Sequence, residues 1–161
     1  MISDKAVISP NAKIGNNVTI YPFAYIEDDV VIGDGCVIYP FVSIMRGSTL
    51  GKGNNVHQGT VIGAVPQDFN YHGEMTRVEI GDGNIIRENV VINRATRSEG
   101  LTRIGNNNFI MEGVHLSHDT KVGDRCVFGY GTKIAGDTEF MNGVILSSNV
   151  IVNPEVRVGT A

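Results

Sequence analysis

The sequence predicts an all-β chain wound as a parallel β-helix of hexapeptide repeats, three hexads to a coil, with two external loops. Three observations predict it. Aliphatic residues recur at a spacing of six, a glycine follows the corner residue of every third hexad except at Phe140-Met141, and the count is interrupted twice. Twenty glycines and no tryptophan fit a chain with many tight turns.

The first run of the six-residue clock is Ile8, Ile14, Ile20, Ile26, Ile32, Ile38, Ile44, Leu50, Val56 and Ile62. Two positions before most of these stands a small or β-branched residue such as Ala12, Val18, Ala24, Val30, Cys36 or Val42. A helix of period 3.6 does not produce that pattern, whereas a short strand with two inward positions followed by a turn does. Ile14-Gly15, Ile32-Gly33 and Leu50-Gly51 are eighteen apart, which sets three hexads per coil and marks one corner. The corner reappears at Ile80-Gly81 after 30 residues and at Ile104-Gly105 after 24. Those excesses of twelve and six residues predict loops near 65–77 and 96–101. The clock then runs on through Ile110, Leu116, Val122, Phe128, Ile134, Phe140, Leu146, Val152 and Val158.

One domain spanning residues 1–161 accounts for the whole repeat. Cys36 and Cys126 fall at the same offset four coils apart, roughly 19 Å at ~4.8 Å per coil, so they are inward packing residues and not a disulfide. The chain ends at Val158-Gly159-Thr160-Ala161 just as a coil opens, as expected of a shortened chain or an unusually short member of its family.

A net charge of −4 without a basic run argues against nucleic-acid or anionic-membrane binding. No apolar run approaches the roughly 20 residues that span a bilayer, and residues 1–5 do not open a signal peptide. A cytoplasmic protein is the expectation.

Reactive side chains gather at His115-Leu116-Ser117-His118-Asp119. His118 is fourteen residues into its coil, and Gly136 is fourteen into the next. Both loops leave the repeat near the same offset, so one edge carries the loops, His118 and Gly136. A side-chain base about 5 Å from a glycine N–H suits acyl transfer. His57 reads as a corner residue, and His72 as a loop residue at the surface or against substrate.

Two further runs carry a resemblance. Gln67-Asp68-Phe69-Asn70-Tyr71-His72-Gly73-Glu74-Met75-Thr76-Arg77 and Ile92-Asn93-Arg94-Ala95-Thr96, together with the His115–Asp119 segment, resemble the bacterial UDP-N-acetylglucosamine O-acyltransferases of lipid A synthesis. That resemblance implies a left-handed helix, a homotrimer, and an acyl donor carried on the phosphopantetheine of acyl carrier protein, with no metal and no other cofactor. It implies His118 as general base toward the sugar 3-hydroxyl, Asp119 as its support and the Gly136 N–H as oxyanion donor. Asp68, from a neighbouring subunit's loop, is expected on the sugar, with Gln67 and His115 nearby. The sequence departs from the family at Asn70, Asn93, Asp137 and Asn153-Pro154, and a chain without the family's C-terminal helical domain is the expectation. Three alternatives remain open from the sequence: a non-catalytic or truncated relative, an acetyl-coenzyme A-dependent sugar acetyltransferase, and a zinc-dependent gamma-type carbonic anhydrase.

Overall fold

The clock becomes structure through burial. In the computed structural model, which describes residues 1–160, the clock residues from Ile20 to Phe140 are buried. The terminal Ala161 lies outside the described residues. Each hexad contributes a strand of two to four residues whose last aliphatic points inward, followed by a turn. Every third strand pairs in parallel, which gives a triangular prism with three flat faces. The first face runs from Val7–Ile8 to Ile151–Val152 in eight strands, and the second from Lys13–Ile14 to Arg157–Val158 in eight. The third runs from Thr19–Ile20 to Ile145–Leu146 in seven. This is a left-handed parallel β-helix, an exception to the usual right-handed crossover.

One interior row is polar. Asn54, Asn84 and Asn108 stack one above another, each side-chain oxygen accepting from the residue a coil above. Their Nδ2 groups reach carbonyls of the glycine corner, at Gly81, Gly105 and Gly123. Cys36 and Cys126 cap the two ends of this row, and both thiols are buried and free. A buried amide is tolerated because every one of its bonds is made. Above that row Phe128 and Phe140 fill the prism with an edge-to-face pair 5.1 Å apart.

Two loops leave the prism at the edge between the first and second faces. Residues 65–76 depart after Val61–Ala64, where the pairing with Val91–Asn93 slips by one residue. Residues 94–100 depart after Asn93 and return at Leu101–Ile104.

Candidate active site

His118 stands on that same edge. Its strand, His115–Leu116, belongs to the first face, and the turn after it passes to the second. Asp119 takes the left-handed conformation, φ 62°, and Asp137 one coil on does the same, φ 60°. Asp tolerates that region. The turn therefore repeats, and its middle residue is His118 in one coil and Gly136 in the next.

Close approach explains the glycine. A Cβ on Gly136 would lie 2.9 Å from His118 Nδ1 and nearer still to Cε1 and Nε2. The imidazole thus occupies the space a Cβ on Gly136 would take, and any side chain there would displace it. Backbone bonds tie the two turns together, Asp137 N–H donating to the His118 carbonyl at 3.1 Å.

Carboxylates hold the ring at both ends. Nδ1 is 2.8 Å from Asp119 Oδ2, and Nε2 is 3.2 Å from Asp68 Oδ2. The His118 side chain is 14 % exposed and that of Asp119 only 5 %. Asp119 is in turn anchored by Thr96, whose N–H and hydroxyl both donate to Oδ2, at 3.1 and 2.8 Å. Its own N–H donates to Thr102 Oγ1 at 2.9 Å. Burial alone would push the Asp119 carboxyl up; hydrogen bonds from His118 and Thr96, with the Arg97 charge, outweigh it and hold the group below the ordinary carboxylate value. Arg97 Nη2 lies 4.0 Å from Asp119 Oδ1 and 2.7 Å from Asp137 Oδ1.

The structure therefore joins Asp68, His118, Asp119 and Gly136. It does not join Gln67, which is exposed and makes no hydrogen bond among the described residues. Nor does it join His115, which lies on the outer side of the first face between Val91 and Lys133. Burial alone pushes the His115 imidazole down. Within one chain, Asp68 reaches His118 because loop 65–76 folds back along the edge it leaves. An Asx turn presents it: Asp68 Oδ1 accepts from Asn70 N–H at 2.7 Å, which leaves Oδ2 for His118.

Thr96, Arg97 and Thr102 escaped the sequence reading as site residues. Thr102 stands two positions before Ile104 and so reads as an inward packing residue, and Thr96 and Arg97 sit in a loop whose path no periodicity fixes. Among the described residues, ligand atoms of His118, Asp119 and Asp137 come within 4.8 Å of one another and form the one group with the make-up of a cation site. Arg97 and Thr96 already engage those carboxylates.

Fold and edge together define a hexapeptide-repeat transferase scaffold with a supported histidine. Comparison with known proteins sharpens this. The bacterial transferase hexapeptide family (six repeats) matches residues 11–44, 29–64 and 101–136. A curated acyl-[acyl-carrier-protein]–UDP-N-acetylglucosamine O-acyltransferase of Aliarcobacter butzleri is 39% identical over 160 residues, covering 99% of this chain and 62% of the relative. The corresponding protein of Saccharophagus degradans is 37% identical over 127 residues, 78% of this chain and 49% of the relative. The chain thus spans about half to three-fifths of these relatives' length. The UDP-N-acetylglucosamine acyltransferase LpxA of Bacteroides fragilis is 41% identical, with a TM-score of 0.81, over 98% of this chain and 70% of that one. LpxA of Acinetobacter baumannii superposes with a TM-score of 0.97 at 33% identity, over 99% of this chain and 62% of that one. The chain belongs to the hexapeptide-repeat UDP-N-acetylglucosamine O-acyltransferase family.

Proposed function

We propose that the protein transfers an acyl group from an acyl carrier protein thioester to the 3-hydroxyl of UDP-N-acetylglucosamine or a related sugar nucleotide. The observation that carries this reading is an imidazole held between two carboxylates and filling the space beside Gly136 where a side chain would stand. Asp119 keeps the proton on Nδ1, which makes Nε2 the basic atom. The acceptor hydroxyl enters between Nε2 and Asp68, gives its proton to Nε2, and its oxygen attacks the thioester carbonyl. Asp119 and Asp68 lie 2.8 and 3.2 Å from the ring that takes up this proton. The Gly136 N–H, which donates to no protein acceptor among the described residues, receives the oxyanion. The tetrahedral adduct expels the thiolate, which takes the proton back from the imidazolium. Family membership supports the donor and acceptor, and the chemistry requires no metal.

The reading extends to assembly. Outward positions of the third face form an apolar row of Ile85, Phe109, Val127 and Ile145, and Val61 and Val91 lie outward on the first face. Second copies of the chain covering those rows would give a homotrimer with the edge of His118 beside a neighbour, in the cytoplasm, where acyl carrier protein is available.

A donor and acceptor panel tests the assignment. Purified protein is offered 3-hydroxyacyl-acyl carrier protein or acetyl-coenzyme A with UDP-N-acetylglucosamine or other sugar nucleotides, and free thiol and acylated product are measured. Thiol release that depends on both the carrier-protein thioester and UDP-N-acetylglucosamine is expected. Release only from acetyl-coenzyme A would move the protein to sugar acetylation, and no release from any pair would remove the catalytic reading.

A further inference from the structure

Beneath loop 65–76, on the same edge as His118 but on the coils below it, lies a cavity of about 130 Å³ with mixed polar and apolar walls. Arg46, Arg94, Tyr71, Glu74 and Thr76 are among its walls, and none of them touches the His118 cluster. Two features of those walls are unusual.

Arg94 is 8 % exposed, yet no carboxylate lies within 4 Å of its guanidinium among the described residues. Its Nη1 donates to the Gly63 carbonyl at 2.9 Å and its Nη2 to the Tyr71 hydroxyl at 3.1 Å, which fixes the plane of the group without cancelling its charge. A buried cation without a counter-charge is costly. Second, the Thr76 hydroxyl is buried, with the residue 3 % exposed, and has no hydrogen-bond partner among the described residues. Arg46 adds a second guanidinium, outside any ion pair among the described residues, whose one side-chain hydrogen bond among them goes to the Met75 sulfur at 3.9 Å. The one carboxylate in the wall, Glu74, is engaged by the His72 N–H of its own loop. The Tyr71 hydroxyl spends its proton on the Glu74 carbonyl.

Two guanidiniums and an unspent hydroxyl, set against the single Glu74 carboxylate, leave the cavity net positive and suited to an oxyanion. Its size selects further. About 130 Å³ is a few times the ~30 Å³ share of one water and well below the roughly 300 Å³ where nucleotide- or drug-sized pockets begin. We infer that this cavity binds a small phosphate-class oxyanion, held by Arg46 and Arg94 and by the Thr76 hydroxyl. Donors on three separate side chains suit a tetrahedral ion better than a planar carboxylate, which one arginine fork satisfies alone. The ion would stitch loop 65–76 to the prism, and this loop also presents Asp68.

Thermal unfolding at constant ionic strength provides the test, comparing inorganic phosphate, acetate and chloride, with phosphate ³¹P line broadening as a second readout. Phosphate should raise the unfolding midpoint saturably and broaden its own line, while acetate should do neither. Thr76→Val should fold at least as well in chloride, since the hydroxyl it loses has no protein partner, and should lose most of the phosphate response. Arg46→Gln, at an exposed position, should weaken apparent phosphate affinity by at least tenfold. Asp68→Asn should leave the response intact. Equal midpoints in phosphate and chloride, an equal effect of acetate, or a phosphate response that survives both Arg46→Gln and Thr76→Val would each overturn the inference.

Discussion

At Gly136 the demand on the sequence is spatial and not conformational, because its φ lies outside the left-handed region and the His118 ring occupies the space a side chain would take. Gly136→Ala should therefore leave the fold cooperative while pushing the imidazole off the backbone. Misplacement of about 1 Å can cost on the order of 10²-fold in rate, and steady-state turnover beside an unchanged circular dichroism spectrum checks this. Asp119 supports the ring through a network that also lowers its pKa, and the sign of the pH effect follows. A carboxyl held below its ordinary value stabilises the fold above that value and loses the contribution as pH falls through the folded pKa. Denaturant unfolding should show stability declining below about pH 4, with a shallower decline in Asp119→Asn. The His115 contribution is lost in the same direction for a different reason. Burial disfavours its charged form, so its contribution is complete above the ordinary value of 6.5 and is lost as pH falls below it. His115→Gln should flatten that part of the curve.

Rows, not single residues, carry the elements. Asn84 accepts from both the N–H and the Nδ2 of Asn108 and donates to Asn54 and to the Gly105 carbonyl. Asn84→Ala strands several buried polar groups at once, at about 1–3 kcal/mol for each unsatisfied group, and urea unfolding should register the loss without a change of slope. Phe128 is the larger apolar counterpart, wholly buried against Phe140. The six-residue clock made the inward aliphatics and the corners legible, because a repeat forces each hexad to solve the same packing problem. It also placed Cys36 and Cys126 on one inner row. The polar step between them was not legible, since Asn54, Asn84 and Asn108 sit in stretches where Asn reads equally well as a turn residue. The loops obey no period, so the sequence could say where they leave but not where they go. For that reason Thr96 and Arg97 became visible as partners of Asp119 and Asp137 only in three dimensions. Asn70, Asn93 and Asp137, read as departures from the family, have local work here. Asn70 closes the turn that presents Asp68, Asn93 holds the Val65 carbonyl at 3.1 Å where the first loop departs, and Asp137 receives Arg97.

As a whole molecule, the prism is a rigid rail, and one of its edges collects everything reactive. Both loops, His118 and Gly136 lie on it because an eighteen-residue coil returns the chain to the same edge each time. Outward apolar rows on the third and first faces belong to the same scale, and sedimentation should report a trimer in which charge introduced at Ile85 or Phe109 weakens association. Trimer formation and catalysis can fail separately, so the decisive measurement addresses the chemistry itself. That measurement is the turnover number of His118→Ala against the unaltered protein, with 3-hydroxyacyl-acyl carrier protein and UDP-N-acetylglucosamine, read as O-acylated sugar nucleotide by mass spectrometry. A loss of ~10²–10⁴-fold, the usual worth of a general base, is predicted; turnover within a few-fold of the unaltered protein would contradict the assignment of the edge as an acyl-transfer centre.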